Sequence, residues 1–325
     1  MTYGGKVSSK PKVRIGLLTT ASINRHLLAT RGSGESYEFV GVASREHARA
    51  EGYARRWAIP RAYAPYEAML MDKDIDAVYI ALPNTLHYEW TIRALSAGKH
   101  VLCEKPFARD PAQVRHAFDV SSSAGLILSE AYMWRHNPNT RKIVELLSTI
   151  GGLRLIRMTF CFVLDRANDI RLVPELGGGA LLDVGVYCIS AARLLVGHNP
   201  SRVFGDAKWS PTGVDETVTA VLDFGDVNAE FTASFRCHHK SLEAIGENGS
   251  ILALEPWTGN PTSLWLNGTE QPTEAFNSYR CELENFAASV RGEESPLLGR
   301  DEAIAQAVTL EAVRTSLESA CPVAL

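Results

Sequence analysis

Cysteine is sparse in this chain of 325 residues. Its six members, Cys103, Cys161, Cys188, Cys237, Cys281 and Cys321, are scattered with no C-x-x-C spacing. Disulfide scaffolds are short and cysteine-dense, and structural zinc sites use paired ligands, so both are excluded. Buried reduced thiols are the reading for most of the six. His238 and His239 are adjacent in a strand pattern and point to opposite faces, so no shared metal is expected. Charge of one sign is also lacking: 33 Lys and Arg against 37 Asp and Glu give −4. There is no basic field for nucleic acid or an anionic membrane. Apolar runs are strand-sized, short of the ~20 residues that cross a bilayer. Residues 1–11 hold no apolar core of a signal peptide and read as a disordered arm. A cytoplasmic location is the default expectation.

What is present is the composition of an ordinary folded protein, 46% apolar and 22% charged, at a length that suggests two domains. Over 12–132, β-rich runs at 12–18, 38–44, 76–82, 100–106 and 126–132 alternate with helical patterns at 45–58, 86–97 and 111–123. Asp110-Pro111 reads as an N-cap followed by a first-turn proline, and Gly98 and Gly125 follow helix ends. Strand–helix alternation with near-continuous apolar strands builds a parallel sheet covered on both faces. Over 133–325 the pattern changes. A helix is expected over 180–196, then strands at 202–209, 216–224, 228–236, 241–245 and 250–254, then helices over 279–291 and 300–318. The fold class is α/β: a Rossmann-like, doubly wound domain followed by an α+β domain with a largely antiparallel open sheet. The closing helices are free to pack back on the first domain.

A glycine-rich phosphate turn is missing too. The first strand-to-helix turn reads Thr19-Thr20-Ala21-Ser22-Ile23-Asn24, small residues where G-x-G-x-x-G is usual. Small side chains still let a pyrophosphate approach the backbone N–H groups at a helix start. About twenty residues on, the second strand ends at Ser44-Arg45. An acid there would hold a ribose 2′-OH, whereas an arginine binds a 2′-phosphate through charge-assisted hydrogen bonds. NADP is the expected cofactor, with NAD as the alternative.

Cys103-Glu104-Lys105-Pro106 closes a parallel strand, and ligands bind beyond the carboxyl ends of such strands. Farther on, the segment 177–187 reads GGGALLDVGVY, which sets Asp183 and Tyr187 four apart on one helical face. Together these motifs and the Rossmann-like first half resemble the Gfo/Idh/MocA oxidoreductase family (glucose–fructose oxidoreductase, inositol dehydrogenase and relatives). Supporting pieces run along nearly the whole chain: Pro83-Asn84-Thr85-Leu86-His87, Met133-Trp134-Arg135-His136-Asn137-Pro138, Asn168-Asp169-Ile170-Arg171, Thr212-Gly213-Val214-Asp215-Glu216 and Asn277-Ser278-Tyr279-Arg280.

The resemblance implies NADP- or NAD-dependent hydride transfer on a sugar or polyol. It implies that Lys105 contacts substrate and cofactor and that Asp183 binds substrate hydroxyls and orients the acid/base. Tyr187 stands where many members carry His, as in the branches of glucose–fructose oxidoreductase, xylose dehydrogenase, dihydrodiol dehydrogenase and nucleotide-sugar 3-ketoreductase. Lys105, Tyr187 and Asp183 are therefore the catalytic candidates, with Arg171 joining them in substrate binding. The cofactor candidates are Thr19, Thr20, Ala21, Ser22, Ile23, Ser44, Arg45, Leu82, Pro83, Asn84, His87, Glu104, Lys105, Trp134 and Arg135. Free Tyr and Lys titrate at about 10 and 10.4, too high for shuttling protons at neutral pH. A Lys105 ammonium beside the Tyr187 phenol would favour the phenolate. That reading requires the two head groups to meet at the nicotinamide ring.

Two other readings stay open: a reductase of a nucleotide-activated 3-keto sugar, and a non-catalytic NADP-binding sensor, against which the retention of both Lys105 and Tyr187 speaks. Apolar positions over 216–235 suggest that the second sheet is covered by another copy, giving a homodimer or homotetramer.

Overall fold

The computed structural model describes residues 11–31, 35–166, 168–258 and 262–325. The arm expected over 1–11 lies outside them except for Pro11. The chain divides into two compact units. One holds residues through Phe107, Gln113–Ala131 and Tyr279–Arg300; the other holds Ala108–Ala112, Tyr132–Ser278 and Asp301–Leu325.

The first unit is a six-stranded sheet. Its strands are β1 (Val13–Leu17), β2 (Tyr37–Ala43), β3 (Arg61–Tyr63), β4 (Ala77–Ile80), β5 (His100–Glu104) and β6 (Leu128–Ala131). Every pairing is parallel, in the order β3-β2-β1-β4-β5-β6. This is the Rossmann order, whose ligand crevice lies where the order reverses, between β1 and β4. Helices α1 (Asn24–Leu28), α2 (His47–Trp57), α3 (Tyr66–Leu70), α4 (His87–Ser96) and α5 (Pro111–Ser123) connect the strands. Asp110 caps α5, its Oδ1 accepting from Ala112 N at 2.8 Å. The short strand β3 escaped the sequence reading because only three residues pair. A late helix, α8 (Ser278–Val290), completes this unit: Leu283, Phe286 and Ala287 are buried in the same core as Val13, Ile15 and Leu17.

The second unit contains α6 (Pro138–Leu146), α7 (Val186–Val196), α9 (Arg300–Ser319) and a nine-stranded sheet. Its strands are β7 (Leu153–Cys161), β8 (Arg202–Trp209), β9 (Asp215–Asp223), β10 (Asn228–Ser234), β11 (His239–Gly246), β12 (Gly249–Leu254), β13 (Ser263–Leu266), β14 (Thr269–Gln271) and β15 (Val323–Ala324). They run in the order β14-β13-β12-β11-β7-β10-β9-β8-β15, and only β7 and β10 pair in parallel. The sequence reading had no strand between 133 and 202, so the central strand β7 is a correction. Its Ile156, Met158 and Phe160 are buried while Arg154 and Arg157 face outward. Those outward charges are balanced by Glu247, in the turn after β11, and by Glu230 on β10, which a single segment cannot reveal.

The helix expected over 180–196 begins instead with a π-helical turn, Leu181–Gly185, before α7. The stretch Pro174–Val196 has the length and mean hydropathy (1.6) of a membrane span, longer than the strand-sized runs expected. It is not one continuous helix, since a 3₁₀ turn at Pro174–Leu176 and left-handed glycines precede the π turn and α7, and 83% of its apolar window is buried in the protein.

Candidate active site

The first unit fixes the Glu104-Lys105-Pro106 segment from three sides. Tyr79 on β4 donates its hydroxyl to Glu104 Oε1. His87, at the start of α4, sets Nδ1 2.8 Å from Pro106 O and Nε2 2.8 Å from Leu82 O. Glu130 on β6 accepts from Phe107 N at 2.8 Å. The residues on either side of Lys105 are thus tied to β4, to the start of α4 and to β6. His87 itself is buried, and that burial pushes its pKa below the ordinary value, against the two carbonyls, which favour the charged ring. The sequence reading set His87 at the nicotinamide ribose; its ring nitrogens are bonded to backbone, joining the ends of β4 and β5.

The first βα turn follows β1 directly. Asn24 closes it by donating from Nδ2 to Thr19 O at 2.7 Å, leaving Thr19, Thr20, Ala21 and Ile23 half-buried and Ser22 exposed. Ser44 is buried at the end of β2 and its Oγ accepts weakly from Glu46 N at 3.5 Å, while Arg45 is exposed. Arg49, which sequence reasoning missed, donates from Nε to Thr20 Oγ1 at 2.9 Å. It lies four residues beyond Arg45, so the only signal was helical spacing. These residues fit a dinucleotide with a 2′-phosphate: a turn of small side chains at the sheet's switch point, an exposed Arg45 just past β2, and Arg49 of α2 bonded to that turn. Leu82 is buried, and Pro83 and Asn84 are half-buried, at the carboxyl end of β4.

Helix α8 adds side chains the sequence did not assign to this half. The Tyr279 ring stacks on His26 of α1, with centroids 5.2 Å apart and planes 11° from parallel. Glu282 is 2% exposed and its Oε1 is buried without a hydrogen-bond partner. Burial, reinforced by the neighbouring Glu104 carboxylate, pushes Glu282 well above the usual carboxyl range.

The second unit gathers the other candidates. Arg171 donates from Nε to Asp183 Oδ2 at 2.6 Å and from Nη1 to Asp169 Oδ1 at 3.2 Å, with its guanidinium 5.9 Å from the Phe162 ring. The two carboxylates, Asp183 first, hold Arg171 in the charged form above its ordinary range. Tyr187 is 6% exposed and donates to the Met133 thioether at 3.5 Å, a weak acceptor. Its ring packs edge-on against Phe160 at 5.1 Å and Tyr132 at 5.7 Å.

The segment carrying Asp183 and Tyr187 is anchored at its start. Asp215, 34 residues away on β9, accepts from Leu181 N at 2.6 Å. Burial pushes this carboxyl up to about 6, against the backbone N–H groups of Leu181 and Ala180, which favour its charged form. Two glycines make the approach possible. A Cβ on Gly179, whose φ is +117°, would collide with the Asp215 carboxylate, and one on Gly178 would collide with Arg171 O. Both glycines thus admit protein groups to the start of the segment.

Trp134 and Arg135, expected at the cofactor, lie in this second unit. Trp134 is 1% exposed and packs edge-on against Trp257 at 5.4 Å. Arg135 donates to Glu302 Oε1 at 2.9 Å and Ser190 Oγ at 3.2 Å. Among the described residues no group of three His, Cys, Asp or Glu side chains could hold a metal ion.

Residues 14–132 match the family described as "Oxidoreductase family, NAD-binding Rossmann fold", and residues 140–252 match the GFO/IDH/MocA C-terminal domain. The chain is 36% identical over 322 residues to a D-xylose 1-dehydrogenase (NADP(+)) of Haloferax volcanii, spanning 95% of this chain and 99% of that one. It is 31% identical to the trans-1,2-dihydrobenzene-1,2-diol dehydrogenase of Bos taurus, over 86% of this chain and 89% of the relative. The crystal structure of a 3-ketoreductase from Actinomadura kijaniata with NADP and TDP-benzene superposes with a TM-score of 0.88 at 30% identity, covering 95% of this chain and 98% of that one.

Proposed function

The chain belongs to the Gfo/Idh/MocA oxidoreductase family, and from that premise we propose that it moves a hydride between NADP(H) and a carbinol carbon of a sugar or polyol. The observation that carries the reading is the near-complete overlap with an NADP-dependent xylose dehydrogenase. Bound NADP(H) supplies or accepts the hydride; the chain's own residues bind, orient and move the proton. Thr19 to Ile23 and Asn84 would line the cofactor, with Arg45 and Arg49 on its 2′-phosphate. His87 then serves by fixing the strand ends, and Trp134 and Arg135 by packing the second unit.

In this reading Lys105 donates a hydrogen bond to the reacting oxygen, polarising it. The Tyr187 hydroxyl exchanges a proton with that same oxygen. Asp183, oriented by Arg171, accepts from substrate hydroxyls. Replacing Tyr187 by Phe removes only the hydroxyl. Turnover should fall about 10²–10⁴-fold, while NADP affinity, read by nicotinamide fluorescence, stays within a few-fold. Unchanged turnover would remove Tyr187 from the reaction.

A nucleotide-activated 3-keto sugar is the second substrate reading, favoured by the TM-score of 0.88 to a reductase crystallised with a TDP ligand. A panel containing free aldoses and TDP-sugars separates the two. A non-catalytic NADP sensor would bind the cofactor and turn over neither.

Assembly through the open face of the second sheet belongs to the same proposal. Phe204 and Val221 are exposed there at 44% and 40%, directly opposite one another in register. A dimer or tetramer is expected by light scattering at micromolar concentration, and a monomer would count against it. A cytoplasmic location is proposed as well, fitting the buried free thiols Cys103, Cys161 and Cys188.

A further inference from the structure

Topology brings two thiols together. β7 ends at Cys161, which is in register with Ser234 at the end of β10 on one side and with His239 at the start of β11 on the other. The connection 235–238 must therefore cross the end of β7, and it brings Cys237 close enough to Cys161 for its thiol to help push the Cys161 pKa up. Neighbouring strands lie about 4.8 Å apart, so a connection joining the two strands that flank β7 passes over Cys161 within a few ångströms, where a disulfide needs a Cα separation of about 4.4–6.8 Å. Cys161 is 2% exposed and its thiol donates to Thr232 O at 3.6 Å, whereas Cys237 is exposed.

The pair adjoins the residues assigned to chemistry. Phe160, one residue before Cys161, packs against Tyr187 at 5.1 Å. Phe162, one residue after it, lies 5.9 Å from the Arg171 guanidinium and 5.2 Å from Phe235 in the same connection that carries Cys237. Any change in backbone at Cys161 is felt by both aromatic rings and so by Tyr187 and the Arg171–Asp183 pair.

We propose that Cys161 and Cys237 are a redox modification site, closing an intramolecular disulfide that lowers turnover by displacing Phe160 and Phe162. The effect on turnover rests on the proposed function; the disulfide does not. Burial, with the neighbouring thiol adding to it, pushes Cys161 up to about 12, so the exposed Cys237 meets the oxidant. A hydroperoxide oxidises the Cys237 thiol to a sulfenic acid and is itself reduced to the alcohol or water. The Cys161 sulfur then attacks the Cys237 sulfur, the S–O bond breaks, and the Cys161 proton leaves with the hydroxyl as water. Two thiols are oxidised for each peroxide reduced, and a dithiol reverses the change.

The test is peroxide treatment of the full chain, alkylation of remaining thiols, and peptide mapping beside a turnover assay. A peptide linking Cys161 to Cys237 is expected, with turnover down roughly ten- to a hundredfold and restored by dithiothreitol. Cys237→Ser should form no link and keep its turnover under peroxide. A Cys237 sulfinate, or an intermolecular Cys237 disulfide with Cys161 still alkylated, would overturn the site. A link that leaves turnover unchanged would overturn the regulatory half. If the reduced protein turns over no sugar, the proposed function fails, and the peptide map still decides the disulfide.

Discussion

Asp215 offers the sharpest test of how the second unit is held. Its carboxylate is 8% exposed, accepts from Leu181 N at 2.6 Å, and titrates near 6 instead of 3.8. A group whose folded pKa lies above its unfolded value binds more protons in the native state, so its contribution to stability falls as pH rises between the two. For a shift of about two units the loss is about 3 kcal/mol, complete above pH 6. Asp215→Asn keeps one acceptor oxygen for Leu181 but cannot ionise. At pH 4 the parent carboxyl is neutral as well, so the two proteins should be close in stability there; at pH 7 the parent carries the ionisation penalty and the variant does not. The variant should therefore match the parent at pH 4 and be the more stable of the two at pH 7. Urea unfolding across that range would read a difference opening by about 3 kcal/mol in favour of the variant. Turnover should fall at every pH, because Asp183 and Tyr187 follow Leu181 on the same π-then-α segment, while NADP affinity is unchanged. Parallel stability curves would refute the buried titration, and full turnover would refute the anchoring role.

Two further substitutions probe carboxyls of opposite character, Glu302 half-buried and Glu282 fully buried. Burial alone would push Glu302 upward, but Arg193 and Arg135, 2.9 Å from its Oε1, win and keep its pKa below the ordinary value. Its contribution is present above the unfolded pKa and lost as pH falls through the folded one. Glu302→Ala, which strands two buried arginines, should lower unfolding free energy by about 3–5 kcal/mol at neutral pH in a chemical denaturation series. Glu282 is the reverse case, its pKa raised well above 4.5 by burial and by Glu104, so its stabilisation drains away as pH rises above 4.5. Glu282→Gln should gain melting temperature relative to the parent as pH is raised from 4.5 toward 8, and a constant difference would show that Glu282 is not held neutral.

The parts legible in the sequence were those written locally. β1, β2, β4, β5 and β6 each carry their own apolar run, and Asp110-Pro111 announces the start of α5. Lys105 and the Asp183–Tyr187 pair were visible because both motifs are contiguous. What supports them was not. Tyr79, His87 and Glu130 come from three separate stretches and meet at the 104–107 segment only once the parallel register is set. β7 was obscured because Arg154 and Arg157 interrupt its alternation, and their carboxylate partners lie 93 and 73 residues away. Helix α8 looked like part of the second domain because it follows it in sequence; Leu283 and Phe286 belong to the first unit's core by packing alone. Local periodicity identifies an element, but its neighbours are chosen by long-range burial.

The π turn shows what this division means for chemistry. An uninterrupted α-helix over 180–196 would set Asp183 and Tyr187 on one face by spacing alone, and the sequence reading relied on that. The structure inserts an i→i+5 turn at Leu181–Gly185, with Asp183 inside it and Tyr187 just beyond. Such turns forfeit regular helical bonding and persist where other contacts fix them. Here the fixing contacts are identifiable: Asp215 at Leu181 N, Arg171 on Asp183, and Gln306, which donates to Val186 O at 2.9 Å and to Tyr132 OH at 3.1 Å beside the Tyr187 ring. Each comes from a different element, β9, the 169–172 turn and α9. The irregular turn is therefore a product of tertiary contacts, and orientation of the two candidate catalytic side chains depends on residues drawn from three other elements.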